Sequence, residues 1–178
     1  MKVLKKILIV LGILIAIPLI AALFVPKKYT VSVSTTINKP GQVVYDYVRI
    51  LKNQEQYSEW LKPDPNLHPT ITGVDGTVGA KQIWDSKNDD VGAGEQTITN
   101  LSPERMDIDL KFLRPFEGHS KAANIFKAVT GNQTILTSEF YADEKYPLNL
   151  MSYLFGRPMI EETQSKNLKN IKEILESK

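Results

Sequence analysis

Residues 104–113 read ERMDIDLKFL, and their alternation decides the fold. Met106, Ile108, Leu110 and Phe112 fall on one side of an extended chain, while Asp107, Asp109 and Lys111 fall on the other. A period of two with one apolar side marks a strand in an antiparallel sheet, covered on one face and wet on the other. The pattern continues on both sides of this stretch. Further strands are predicted near 70–74, 78–86, 92–101, 117–129 and 132–141. Asp75-Gly76 is a tight-turn pair, and Ser102-Pro103 and Gly131-Asn132 punctuate two more turns. Links this short join antiparallel neighbours, so the region is a meander.

Upstream, Tyr29–Ile37 is rich in Thr, Val and Ser and reads as another strand, broken at Asn38-Lys39-Pro40-Gly41. Pro40 suits a first helical turn, and Val43, Val44, Tyr47 and Val48 recur at helical spacing. A second short helix is predicted over Gln54–Trp60, followed by a loop at 62–66. Downstream the period changes. Ile160, Gln164, Leu168, Ile171 and Leu175 fall on one helix face, with Glu161, Glu162, Lys166, Lys169, Lys172 and Glu173 around the rest. The apolar stretch Tyr146–Gly156 joins the last strand to this helix. It reads as a short core helix, a gate over the mouth of a cavity, or a segment dipping into a membrane surface.

The expected fold is α+β, a seven-stranded antiparallel sheet wrapped around one long C-terminal helix. A single helix about 10 Å wide does not fill a concave sheet, so a cavity is expected between them.

Residues 7–25, ILIVLGILIAIPLIAALFV, carry no charge. Nineteen residues at about 1.5 Å each span roughly 28 Å, close to the hydrocarbon core of a bilayer. Residues 1–28 therefore read as a transmembrane anchor and 29–178 as the domain it carries. A cleaved signal peptide is the competing reading, but its apolar region is shorter, and a cut after Ala22 would put Ile20 where a small residue is wanted. Lys2, Lys5 and Lys6 before the run, against Lys27 and Lys28 after it, favour a cytoplasmic N-terminus and an extracytoplasmic domain.

Composition excludes other classes. Apolar residues make up 42% and charged residues 24%, globular values. With no cysteine and two histidines, thiolate or histidine-rich metal sites, disulfides and a cysteine nucleophile are ruled out. Five of the 22 basic residues lie in the first 28 positions, leaving 17 against 20 acidic ones in the domain, a net −3. That is no nucleic-acid surface. Nothing in the sequence fixes an oligomeric state.

The order of elements, with Ile37-Asn38-Lys39-Pro40 leading into VVYDYV (43–48) and then Trp60, is similar to the SRPBCC superfamily. This is the START-like, helix-grip group that includes polyketide cyclases, birch pollen allergens and lipid-transfer domains. DGTVGA (75–80), GAGEQTI (92–98), RPFEG (114–118) and YPLNLMSYLFG (146–156) resemble a bacterial subgroup of the polyketide cyclase/dehydrase type, several members of which carry an N-terminal membrane helix. The resemblance implies the fold. It implies no catalytic motif, because the superfamily includes binders, transporters, cyclases and hydrolase co-regulators.

Alternation assigns the inward faces. Trp84 shares a side with Gln82 and Ala80; Ile98 with Gln96 and Asn100; Phe126 with Asn124, Ala122 and Ser120; Leu136 and Phe140 with Ser138. The candidate ligand-binding residues are Trp60, Gln82, Trp84, Gln96, Ile98, Met106, Ile108, Asn124, Ser138 and Phe140. A buried amide without a partner costs about 1–3 kcal/mol, so several together suggest a wet or ligand-filled space. Neutral amides suit a weakly polar hydrophobic ligand such as a lipid, a terpenoid or an aromatic polyketide.

No catalytic constellation emerges. His119 with Asp107 or Asp109 would make a general-base pair, but alternation turns these residues to solvent. Glu95 and Glu139 are also exterior by phase, His68 lies in a loop, and Arg114 is placed to pair with an acid. Asp85, Asp89 and Asp90 lack the spacing of a calcium loop. No lysine or helix start follows Gly92-Ala93-Gly94, which reads as a bulge or a close strand approach rather than a phosphate loop. No metal or cofactor is expected. The function expected is a membrane-tethered binding or carrier domain for a hydrophobic small molecule. The alternatives are a cyclase- or hydrolase-type enzyme on an aromatic or polyketide-like substrate, or a ligand-free interaction or stress-response module.

Overall fold

The computed structural model describes residues 2–177; Met1 and Lys178, the outermost residues of the two expected regions, lie outside the described residues. An apolar helix α1 (Lys2–Phe24) leads into strand β1 (Lys28–Ile37). Helix α2 (Gly41–Val48) begins after Pro40, whose fixed φ and missing N–H are tolerated there. A 3-10 turn (Leu51–Asn53) runs into the short α3 (Gln54–Tyr57). Six strands follow: β2 (Thr70–Thr72), β3 (Lys81–Asp85), β4 (Ala93–Ser102), β5 (Arg105–Arg114), β6 (Gly118–Thr130) and β7 (Gln133–Asp143). They form one antiparallel seven-stranded sheet in the order β1-β7-β6-β5-β4-β3-β2. The chain ends in a continuous helical run: α4 (Leu148–Met151), a π-helical turn (Ser152–Gly156) and α5 (Arg157–Glu176).

The expected architecture is present, with four local corrections. The second short helix stops at Tyr57 instead of Trp60, because Ser58 turns extended (ψ 118°) and Trp60 falls in the turn beyond it. The strands expected at 70–74 and 78–86 are shorter. Gly73, Gly76 and Gly79 all have positive φ, and the turn bonds Thr77 N–H to Val74 O and Ala80 N–H to Thr77 O take up the residues between β2 and β3. The register of β4 on β5 slips between Ile98 and Asn100, and the bulge turns Asn100 outward to donate to Asp107 Oδ2 at 3.1 Å. The stretch 146–156 is no core helix, since Leu148, Met151, Leu154 and Phe155 are all exposed.

The core lies at one end of the sheet. Ile37, Val44, Val48, Leu51, Ile98, Met106 and Leu136 pack there against Leu168, Ile171 and Leu175 of α5. Burying each such side chain contributes about 1.5–3 kcal/mol. Toward its N-terminal end α5 is no longer packed this tightly on the sheet, and a space opens beneath it.

Candidate functional site: a cavity between sheet and helix

The space is a cavity of about 490 Å³. Its sheet wall is made by Gln82 and Trp84 (β3), Gln96 (β4), Ile108, Leu110 and Phe112 (β5), Ala122 and Asn124 (β6), and Ser138 and Phe140 (β7). Its helix wall is Ile160, Gln164, Leu168 and Ile171 of α5. Trp60, Leu61, Phe116 and Met159 stand at the mouth. Trp84 reaches this wall because β4 has no side chain beneath it. A Cβ on Gly94 would come within 2.5 Å of both Trp84 Cζ2 and Lys111 O.

Polar groups in the cavity fall into two sets. In the first, Gln96 Nε2 donates to Gln82 Oε1 and to Gln54 Oε1 (2.7 Å), and Gln82 Nε2 donates to Leu51 O at 3.1 Å. This chain ties β3 and β4 to α3 and is internally satisfied. The second set is open. Gln164 is 8% exposed, and its Oε1 has no hydrogen-bond partner. Asn124 and Ser138, paired in register across β6 and β7, also line the wall.

The ionisable groups that border the cavity are Tyr29, Tyr57 and Glu144. Glu144 is on the rim and only half-buried. Burial, with a smaller contribution from Tyr47, pushes the Tyr57 phenol far up, so it stays neutral. Burial also raises the Tyr29 phenol, outweighing the lowering effect of its 2.7 Å hydrogen bond with Ser152 Oγ. His119 does meet Asp109 (Nε2–Oδ2 2.8 Å), but on the exposed outer face of the sheet. Glu95 pairs with Lys81 there, Glu139 accepts from Tyr141, and Arg114 pairs with Asp85. Among the described residues no group of three or more His, Asp or Glu is placed to hold a metal.

One side of the mouth is clamped. Asn170 Nδ2 donates to Tyr57 O (2.9 Å) and to Glu59 Oε1 (2.7 Å), and Glu59 N–H donates to Asn167 Oδ1 (2.7 Å), fixing the α3 loop to α5.

Of the ten residues proposed from sequence, Trp60, Gln82, Trp84, Gln96, Ile108, Asn124, Ser138 and Phe140 come together on this cavity. Ile98 and Met106 do not. They share the inward face but are fully buried in the closed end, where α2 and the last turns of α5 seal the sheet.

No family model and no curated protein matches the sequence. Solved structures do. A protein from Arthrobacter aurescens superposes with a TM-score of 0.60 at 16% identity over 84% of this chain and 87% of its own. Ara h 8.0201 gives 0.59 at 11% identity, over 85% and 99%. The di-domain ARO/CYC StfQ from the steffimycin biosynthetic pathway gives 0.59 at 13% identity, over 83% of this chain and 51% of that one. The chain has the START-like helix-grip fold.

In this helix-grip domain, sequence reasoning missed Gln54, Phe116, Met159 and Gln164. Gln164 had a signal: it is the single polar residue in the stripe Ile160, Gln164, Leu168, Ile171, Leu175. Phe116 had none, since its place on the rim depends on how the β5–β6 turn folds back.

Proposed function

We propose that the domain holds one hydrophobic small molecule in the cavity between sheet and α5, and that residues 1–28 tether it to a membrane that supplies or receives this molecule. The observation that carries the reading is the Gln164 amide. Its oxygen is buried without a partner on the wall of a mostly apolar cavity, a costly arrangement that a ligand hydroxyl or amide N–H relieves. The ligand is thus an amphiphile, an apolar body with one donor group, of the lipid, terpenoid or polyketide kind.

The tether reading is supported by α1. It is 23 residues long, highly apolar and almost wholly uncovered by the rest of the chain. The lysine distribution favours an extracytoplasmic domain. A cyclase or hydrolase reading has less support, because the polar groups aimed into the cavity are amides and hydroxyls.

The test is to purify the full chain, extract it with organic solvent and identify what it carries by mass spectrometry, beside an Ala122→Trp variant whose indole fills the cavity. The expected result is an amphiphile retained at near one per chain by the native protein and lost from the variant. Equal retention by both would overturn the reading. Intact mass of the membrane-fraction protein tests the tether: loss of residues 1–28 would show a cleaved signal sequence.

A further inference from the structure

We propose that residues 146–159 are immersed in the membrane interface beside α1, so that the cavity mouth opens onto lipid; this rests on the tether reading above. The depth of this segment is set by hydrogen bonds to α1 and to the residue just past its end. Asn149 Nδ2 donates to Ala22 O (2.8 Å) and Val25 O (2.9 Å), and the Tyr146 hydroxyl donates to Leu19 O (3.2 Å). The Ala22 carbonyl needs such a donor. Its helical partner would be residue 26, and Pro26 has no N–H. Leu19 and Ala22 are three residues apart, about 4.5 Å along the helix axis, and Val25 follows just past its end. A segment bonded across that interval at the end of an apolar span lies at the depth of those residues.

Its surface fits that place. Tyr146 to Gly156 carries no charge, and Lys145 and Arg157 bound it. Leu148, Met151, Phe155 and Met159 recur every three or four residues along the continuous helical run, with Leu154 beside Phe155, and each is more than half exposed. A stripe this apolar is an interaction surface, and its hydrogen-bonded neighbour names the occupant: the bilayer that α1 crosses. Lys27, Lys28, Lys145 and Arg157 can place their charged ends among headgroups at the same level. Ser152, Gly156 and Met159 of this segment also border the cavity, so a guest passes between lipid and cavity without crossing water.

The chain has no cysteine, which allows clean single-site labelling. Phe155→Cys, Lys111→Cys on the outer sheet face and Ile13→Cys in mid-α1 each receive an environment-sensitive fluorophore. The full chains are reconstituted in phosphatidylethanolamine–phosphatidylglycerol vesicles containing lipids with spin-labelled acyl chains. The expected result is severalfold quenching at positions 155 and 13 and none at 111. Quenching at 13 with 155 as bright as 111 would overturn this proposal and leave the tether standing. No quenching at 13 would overturn the tether.

Discussion

Gln82 and Gln96 face one another across β3 and β4, and the amide of one donates to the amide of the other inside an apolar wall. Each depends on its partner for satisfaction. Gln82→Leu is therefore expected to destabilise the fold by about 1–3 kcal/mol, because it leaves Gln96 Nε2 with one partner fewer in a buried place. The double change of Gln82 and Gln96 to leucine is expected to cost less than the sum of the two singles. Denaturant titration of the four proteins measures this, and strict additivity would contradict it.

Gln164 predicts the opposite sign. Its oxygen is buried and unpartnered, so Gln164→Leu is expected to raise the melting temperature of ligand-free protein by about 2–4 °C, for roughly 1 kcal/mol recovered. The same change is expected to weaken binding of a hydroxyl-bearing amphiphile about tenfold, the loss of roughly 1.4 kcal/mol. Melting scans and a displacement titration read the two effects. A variant both less stable and equally tight would contradict the role given to this amide.

Gly94 leaves the room that Trp84 occupies. An added methyl would meet Lys111 O and the Trp84 ring at 2.5 Å, and the backbone atom cannot yield easily. Gly94→Ala is expected to cost about 1–3 kcal/mol and to move the indole, shifting tryptophan emission. An unchanged spectrum with native stability would show that β4 and β5 can part there.

The clamp at the mouth titrates. The hydrogen bond from Lys62, then that from Asn170, holds the Glu59 carboxyl below the usual glutamate range despite some opposing burial. A folded pKa below the unfolded one means that the stabilisation is present above the unfolded value and fades as pH falls through the folded value. The melting temperature should therefore drop as pH falls below about 4.5, and Glu59→Gln should be less stable than the native chain near pH 7 but converge with it as pH falls below the folded value. Melting profiles against pH check this; a gap that stays constant with pH would dismiss the carboxylate's part.

The fold was legible because one-sided alternation survives in a sequence: Met106, Ile108, Leu110 and Phe112 do face inward. Alternation names the face, not the depth along it. Ile98 and Met106 share that face with Ile108, yet they are sealed under α2 and the end of α5 while Ile108 borders open space. The bulge that expels Asn100 is a backbone event without a residue signature. The extension of the last helix back to Leu148 is hidden in the sequence because its outer stripe is apolar, and an apolar stripe alone does not tell a core helix from a gate or a membrane-facing segment.

Strand β1, which leaves the apolar helix first, has one sheet neighbour, and it is the last strand: Lys28 lies opposite Asp143. During synthesis the earliest strand must wait about a hundred residues for its mate. Biogenesis therefore has to shelter an unmatched edge next to a greasy rod until that last strand arrives.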